Sequence, residues 1–152
     1  MLMKKILTYV LFIVLVVGFG ALSGVSNMPG EWYQSLEQPF FQPPSWVFGP
    51  VWTTLYVLIA IAGARTWLEA PASGRMQVWF AQMVLNFLWS PAFFGSESPI
   101  LGLLVIIPLL VSILVFVRLS WNRDRVSGWL FVPYIAWVGF ATLLNLSIVV
   151  LN

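Results

Sequence analysis

Five apolar stretches dominate the chain, and each is long enough to cross the hydrocarbon core of a bilayer, which takes about 20 helical residues. Apolar residues recur on every side of each stretch, and Gly and Pro occur inside, as membrane helices tolerate. With 61% hydrophobic and 8% charged residues, the chain has too little polar surface to coat a soluble domain. We therefore predict an all-α integral membrane protein with a five-helix bundle. The predicted helices are residues 6–26, 47–68, 76–94, 100–119 and 128–151.

Short connections follow the second, third and fourth predicted helices, so consecutive helices are expected to lie antiparallel in one bundle. No soluble domain, internal repeat or low-complexity tract interrupts the pattern. We therefore predict a single membrane domain over residues 1–152.

Basic residues fall on only one side of the predicted bundle. They lie at the N-terminus and around the second and fourth connections: Lys4, Lys5, Arg65, Arg75, Arg118, Arg123 and Arg125. The first and third connections carry only acidic charge, at Glu31, Glu37 and Glu97. Because Lys and Arg are concentrated in cytoplasmic loops, we predict a cytoplasmic N-terminus and an external C-terminus. The alternative for the first helix is a cleavable signal peptide, but its removal would leave four helices without this charge alternation.

The chain contains no cysteine and no histidine. This excludes disulfides, thiolate chemistry, zinc sites of the usual kind and imidazole ligation of haem. It also removes the commonest general base. We therefore expect no metal site and no required cofactor. The expected partners are the lipid bilayer and a lipophilic small molecule, with no nucleic acid.

The connection between the first two helices is rich in aromatic residues and proline. From Trp32 to Trp52 it reads WYQSLEQPFFQPPSWVFGPVW. Its prolines fix φ and push the preceding residues toward extended conformations, so rigid turns and short helical pieces are expected. Rigidity suits a cover over a ligand pocket, because little conformational entropy is lost on closing. Single Trp or Tyr residues also form belts at headgroup depth, but for the whole cluster we favour a pocket cover.

Polar and aromatic side chains share one face on three of the predicted helices, at spacings of three and four. An amide in hydrocarbon is costly unless it faces the bundle interior. For Gln82 and Asn145 we favour interhelical hydrogen bonding, whereas for Asn86 ligand contact is an equal alternative. The three stripes are Trp79, Gln82, Asn86, Trp89, Ser90 and Phe93; Trp52, Tyr56, Ala60 and Gly63; and Tyr134, Trp137, Ala141, Leu144 and Asn145.

A set of short motifs runs through the chain in a fixed order. They are Trp32-Tyr33, Leu36, Pro39, Pro43-Pro44, Trp46-Val47, Gly49-Pro50-Val51-Trp52, Leu55-Tyr56, Gln82, Leu85-Asn86, Trp89, Phe93-Phe94-Gly95, Pro133-Tyr134, Ala136-Trp137, Phe140-Ala141 and Leu144-Asn145. Together they resemble the translocator protein family, also called tryptophan-rich sensory proteins and formerly peripheral-type benzodiazepine receptors. The resemblance covers nearly the whole chain.

The resemblance implies a five-helix fold whose central cavity is capped by the first loop. It also implies a homodimer and binding of porphyrins, sterols and synthetic isoquinoline-carboxamide or benzodiazepine-type ligands. The positions that match the family's cavity are Phe48, Gly49, Trp52, Asn86, Trp89, Phe93, Trp137, Ala141 and Leu144. In some bacterial members, light-dependent degradation of protoporphyrin is attributed to the positions of Trp52 and Trp137, which makes these two the candidate catalytic residues.

Two further features bear on ligand and assembly. The sterol-recognition pattern of the animal members needs a Tyr and a basic residue after Asn145, whereas Leu146 and an apolar tail follow here. That pattern is weak evidence even when complete, so we do not expect high-affinity cholesterol binding; together with the short ends, this mismatch indicates a bacterial cell membrane. The sequence from Gly20 to Gly24 is a G-x-x-x-G motif, which favours close helix approach either between two copies or within one chain.

Three functions are compatible with the sequence. The favoured one is a membrane binding protein or sensor for porphyrins and other planar lipophiles, linked to tetrapyrrole regulation. The second is a light- and oxygen-dependent porphyrin-degrading enzyme that uses Trp52 and Trp137. The third is a transporter of porphyrin or sterol-like molecules, for which no inverted repeat, ion-coupling carboxylate or intramembrane charge is visible.

Overall fold

The computed structural model describes all 152 residues, which form helices and their connections without any β-strand. The α-helices are α1 (Leu2–Ser26), α2 (Glu31–Ser35), α3 (Phe48–Glu69), α4 (Gly74–Ser90), α5 (Pro99–Ser120), α6 (Arg125–Leu130) and α7 (Val132–Leu151). A 3-10 turn at Ser45–Val47 precedes α3, and a π turn at Pro91–Gly95 continues α4. The short helical pieces expected between the first two long helices are thus α2 and the 3-10 turn.

Four helical segments are long and apolar enough to cross a membrane: Leu2–Ser26, Ser45–Glu69, Pro99–Ser120 and Arg125–Leu151. Helix α4 is shorter, at 17 residues, and more polar, since it includes Gln77, Gln82 and Asn86. The prediction of an all-helical, multi-pass membrane protein is confirmed at this level.

Two of the predicted helices are interrupted near a proline. Residues 76–94 do not form one α-helix, because α4 changes to the π turn at Pro91. Residues 128–151 are divided at Phe131, two positions before Pro133. Proline has no N–H to donate, and its ring collides with the carbonyl four residues earlier, so the regular hydrogen-bond ladder is broken there. The first helix begins earlier than predicted, because Lys4 and Lys5 end the apolar run but are good helix formers.

The long helices pack in a chain of neighbours. Helix α1 packs on α3, α4 on α5 and α5 on α7, while α6 joins α3 to α5. The core between them includes the fully buried Ile59, Ile113, Phe116 and Phe131. On α1 only Val16 and Gly20 are buried. The exposed faces of α1 are apolar, as expected for a helix whose solvent is lipid.

The G-x-x-x-G motif of α1 makes a contact within the chain. A Cβ on Gly20 would lie 2.3 Å from Cε2 of Tyr56 in α3, so only glycine allows this approach. A Cβ on Gly24 would meet nothing within 4 Å. Of the two alternatives left open by the sequence, the structure therefore supports the intrachain contact at Gly20.

Ion pairs connect the helices at the end of the bundle where α3 ends and α4 and α6 begin. Arg65 donates hydrogen bonds of 2.9 Å to both carboxylate oxygens of Asp124, which also accepts one of 2.6 Å from the Ser127 hydroxyl. Arg75 pairs with Glu69 at 2.7 Å. Burial raises the pKa of Asp124, but the hydrogen bonds from Arg65 and Ser127 outweigh burial and hold the pKa at about 2.

Candidate ligand-binding cavity

A cavity of about 470 Å³ lies between the helices, at the end of the bundle that carries the Trp-rich segment. Its 27 lining residues come from α1, α3, α4, α5 and α7 and from the segments next to them. All nine residues predicted to bind ligand line this one cavity: Phe48, Gly49, Trp52, Asn86, Trp89, Phe93, Trp137, Ala141 and Leu144. Their convergence is a structural finding, while their role in binding stays a prediction.

Aromatic rings in mutual contact form much of the cavity wall. Phe48, at the start of α3, meets Trp137 of α7 with ring centroids 5.5 Å apart. Trp89 stacks on Phe93 at a centroid distance of 5.1 Å. The candidate catalytic pair, Trp52 and Trp137, both face the cavity. The wall therefore offers flat, polarisable surface of the kind that planar ligands contact.

Asn86 sits in a hydrogen-bond network that joins three helices. Its Oδ1 accepts a hydrogen bond of 3.2 Å from the Tyr56 hydroxyl of α3, and its Nδ2 donates one of 2.6 Å to the Tyr134 hydroxyl of α7. The Tyr134 hydroxyl donates in turn to Gln82 Oε1 at 2.8 Å. Interhelical hydrogen bonding by Gln82 is thus confirmed. Asn86 combines that role with a place in the cavity lining.

Asn145 fixes the indole of Trp89. The Asn145 Oδ1 accepts a hydrogen bond of 3.1 Å from Trp89 Nε1, and its Nδ2 donates one of 2.8 Å to the carbonyl of Pro99. The interpretation of Asn145 as an interhelical hydrogen-bonding residue is confirmed. Since both ends of its amide are occupied, Asn145 holds the aromatic wall in place.

The segment between α1 and α3 also contributes to the lining. Tyr33 of α2 lies 5.2 Å from Phe94, between ring centroids, and its hydroxyl accepts a hydrogen bond of 2.8 Å from Gln42 Nε2. Burial raises the pKa of Tyr33 above its ordinary value, so this hydroxyl is neutral at pH 7. Phe40 and Trp46 are 99% and 74% exposed. Only part of the aromatic segment therefore faces the cavity.

Two buried polar atoms of the lining have no hydrogen-bond partner. They are the acceptor Oε1 of Gln42 and the donor Nε1 of Trp137. No Asp, Glu, Lys or Arg lines the cavity. A bound molecule would therefore meet a mainly apolar, uncharged wall.

Helix α1 forms a wall that the sequence analysis did not assign. Val17, Gly20, Ala21 and Gly24 line the cavity from this helix. None of them is polar or aromatic, so the criterion that identified the other three walls could not detect them. The available signal was a row of small residues at spacings of three and four.

The fold and the cavity define a multi-pass helical membrane protein with an aromatic internal site. The family model for the TspO/MBR family matches residues 10–151. The chain belongs to this family, and the resemblance read from the sequence motifs is confirmed.

Relatives in three domains of life match most of the chain. The tryptophan-rich protein TspO of Archaeoglobus fulgidus is 38% identical over 141 residues, which cover 91% of this chain and 92% of the relative. Protein CrtK of Rhodobacter capsulatus is 39% identical over 134 residues, or 86% and 84% of the two chains. The human translocator protein is 33% identical over 136 residues, or 83% and 79%.

Proposed function

We propose that this protein binds porphyrins and other planar lipophilic molecules, including isoquinoline-carboxamide and benzodiazepine-type compounds. In this proposal it acts as a membrane sensor linked to tetrapyrrole regulation. The observation that carries the proposal is the convergence of nine predicted residues on one cavity of about 470 Å³. A mainly apolar, aromatic cavity with a few polar groups is typical of small-molecule sites. One relative, from Cereibacter sphaeroides, is named a tryptophan-rich sensory protein.

In this proposal the segment between α1 and α3 caps the cavity. Support comes from its contacts with α7 and with the residue that follows α7. Phe41 lies 6.2 Å from Phe140, between ring centroids. Glu37 exchanges two backbone-to-side-chain hydrogen bonds with Asn152, at 3.0 and 3.1 Å. These contacts attach the segment to the end of α7. In this proposal the segment can move away from the cavity when they break, while the helices that line the cavity stay in place.

The proposal includes five membrane spans, with a cytoplasmic N-terminus, an external C-terminus and a bacterial cell membrane as location. The π turn lengthens α4 beyond its 17 residues, and two of its amides bond inside the bundle, which supports a fifth span. Because the chain has no cysteine, single substitutions Phe40→Cys and Arg123→Cys can report sidedness. A membrane-impermeant maleimide on intact cells should label only the first, and labelling of only the second would reverse the orientation.

A homodimer is also proposed, and it rests on the family resemblance alone, because Gly20 is used within the chain. The measurement is the mass of the protein in detergent after subtraction of bound detergent. Two copies per particle would support the proposal, and one copy at all protein concentrations would contradict it.

The first experiment is a titration of the detergent-solubilised protein with protoporphyrin in the dark, followed by tryptophan fluorescence. Saturable quenching is expected, because an acceptor bound in the cavity lies beside several indoles. Ala141→Phe, which fills part of the cavity, should weaken this quenching. Quenching that is linear in ligand and equal in both proteins would reflect partition into detergent and would contradict the proposal.

A second candidate function is light-dependent porphyrin degradation. The observation that favours it is that Trp52 and Trp137 both face the cavity and that Trp137 Nε1 has no partner in the protein. Illumination of the complex in the presence of oxygen tests it. Bleaching of the porphyrin spectrum that is lost in Trp137→Phe would support an enzyme, whereas an unchanged spectrum would leave a binding protein.

A further inference from the structure

We propose that a pocket at the basic end of the bundle binds the phosphate group of an anionic lipid. This pocket is a second cavity, of about 380 Å³. It shares no lining residue with the aromatic cavity at the other end of the bundle. Lipid binding here is therefore independent of the proposed function, and either can fail while the other stands.

Charged side chains from three parts of the chain meet in this pocket. Five of its seven lining residues are charged. They are Lys5 of α1, Arg65 and Glu69 of α3, and Arg123 and Asp124 of the turn between α5 and α6. Because these residues are far apart in sequence, the pocket exists only once α1, α3 and α6 have packed together.

The charges of the pocket leave two cations without a partner. Each of its two carboxylates is paired with an arginine, at 2.9 Å for Asp124 and 2.7 Å for Glu69. The structure contains no other ion pair, so Lys5 and Arg123 have no carboxylate partner. Two cations that line one pocket repel each other unless an anion lies between them. An anionic group is therefore the ligand that this pocket fits.

Arg65 adds a guanidinium whose orientation is already fixed. Its Nε and Nη2 donate hydrogen bonds of 2.9 Å to Asp124. Since the pKa of Asp124 is held at about 2, this carboxylate stays ionised at neutral pH. A guanidinium has five N–H donors in a fork that matches phosphate oxygens, so donors remain for a ligand. Because the side chain is held in advance, little of its conformational entropy would be lost on binding.

The pocket lies at the depth of lipid headgroups. The membrane-spanning segments Leu2–Ser26 and Arg125–Leu151 begin beside it, and Ser45–Glu69 ends beside it. The headgroup region of a bilayer borders the hydrocarbon core at the ends of such segments. Basic residues clustered there attract anionic lipids. The pocket therefore places its cations where lipid phosphate groups are concentrated.

The surface beside the pocket favours a lipid over a free phosphate ion. Along α1, Lys5 is flanked by apolar side chains that are all exposed: Leu2, Met3, Ile6 and Leu7. An acyl chain can lie against this surface while its phosphate group reaches the pocket, as the hydrophobic effect favours. Inorganic phosphate would gain nothing from the same side chains.

The test is native mass spectrometry of the whole protein in detergent, which counts bound lipids. The probes are phosphatidylglycerol and phosphatidylcholine with identical acyl chains. Lys5→Gln and Arg123→Gln each remove one unpaired cation, and both residues are exposed, so the fold should be retained. The matched controls are Lys4→Gln and Arg125→Gln, at neighbouring basic residues that do not line the pocket. Thermal unfolding without lipid checks that all four variants are folded.

We expect wild type to bind one phosphatidylglycerol about tenfold more tightly than phosphatidylcholine, because choline brings a further cation to a site with two unpaired ones. Lys5→Gln and Arg123→Gln should each weaken phosphatidylglycerol binding about fivefold, whereas both controls should behave as wild type. Equal weakening by Lys4→Gln and Lys5→Gln would reflect a general attraction of the basic end and would overturn the proposal. Equal affinity for the two lipids would overturn it as well.

Thermal unfolding with added ligand distinguishes a lipid from a free ion. Phosphatidylglycerol should raise the unfolding temperature of wild type, because a ligand that binds only the folded state stabilises it. Inorganic phosphate should have no such effect. Stabilisation by inorganic phosphate that equals that of the lipid and is lost in Lys5→Gln would overturn the lipid as the source of the phosphate group. Tryptophan quenching by protoporphyrin should be unchanged in Lys5→Gln, since the aromatic cavity lies at the other end.

Discussion

The two ends of the bundle differ in the space beside particular glycines. At the basic end, the space beside Gly63 is filled, since a Cβ there would lie 2.4 Å from Cε2 of Trp79. At the aromatic end, Cβ atoms on Gly24 and Gly49 would meet no atom within 4 Å. Both of these glycines line the cavity. Gly20 also lines the cavity but is closely packed on Tyr56. The contrast therefore concerns individual positions, with Gly63 closely packed and Gly24 and Gly49 open.

The two ends also differ in their charged groups. At the basic end, charged side chains pair with each other, as in Arg65 with Asp124 and Arg75 with Glu69. At the aromatic end, the cavity lining is uncharged. Buried polar atoms without a partner occur at both ends, for example Arg75 Nη1 and Trp137 Nε1. Packed and paired groups stabilise the fold, whereas unfilled space is what a ligand can use. Ion pairs are thus found at one end and the candidate cavity at the other.

The largest effect on stability is expected for Gly63→Leu. The new side chain has no room beside Trp79, and overpacking of this kind costs about 3 kcal/mol. Gly24→Leu is the matched control, because a Cβ there meets nothing within 4 Å. Thermal unfolding in detergent measures both. Equal losses in the two variants would show that the two positions are packed alike and would remove the comparison.

A smaller loss, about 2 kcal/mol, is expected for Tyr134→Phe. The Tyr134 hydroxyl donates to Gln82 and accepts from Asn86, so its removal leaves two buried amides short of a partner. Denaturant or thermal unfolding gives the magnitude. A change below about 0.5 kcal/mol would mean that this network, at the border between the two ends, does not join the helices as described.

Ala141→Phe tests the aromatic end alone. The larger side chain occupies cavity volume, so we expect protoporphyrin affinity to fall about tenfold, or about 1.4 kcal/mol, with little change in thermal stability. Leu143→Phe is the control, because Leu143 is half exposed and lies outside the lining. Unchanged affinity in Ala141→Phe would show that the ligand binds elsewhere.

The smallest effect concerns the ion pair at the basic end. The pKa of Asp124 is about 2 in the folded protein, below its value of about 3.9 in an unfolded chain. Its contribution is therefore complete above about pH 4 and is lost as the pH falls toward 2. Because Arg65 is partly exposed, we expect a contribution of about 1 kcal/mol.

Asp124→Asn should remove this contribution at pH 7 and flatten the stability profile between about pH 4 and 2. Glu31→Gln, at an exposed position without an ion pair, should retain the wild-type profile. Thermal unfolding as a function of pH distinguishes the two. A wild-type acid dependence in Asp124→Asn would assign that dependence to other groups.

Much of the candidate site was predictable because its residues interrupt apolar helices. Polar and aromatic side chains at helical spacing marked the inner faces of three helices, and the structure places Trp52, Asn86 and Trp137 in one cavity. The wall from α1 was not predictable in this way. A small residue such as Ala21 looks the same in a lipid-facing helix and in a cavity wall, and only its neighbours distinguish the two.

The helix breaks at Pro91 and Phe131 also show what the sequence alone could not predict. Proline marks both sites in the sequence, yet Pro108 lies inside the continuous helix α5. Whether a proline ends a helix, changes it to a π turn or is tolerated depends on which neighbouring groups accept or replace the lost hydrogen bond.

The amino-acid sequence by itself determined the solvent of this protein, its helical class, its family and the inner faces of three helices, because hydropathy and helical periodicity are local properties of the chain. Only the tertiary structure decided beside which glycines a neighbouring side chain packs and beside which glycines the space stays open. It also decided which amides are paired and which polar atoms remain free. These properties depend on distances between residues far apart in sequence, such as Gly20 and Tyr56 or Asn86 and Tyr134, and such distances exist only once the helices have packed.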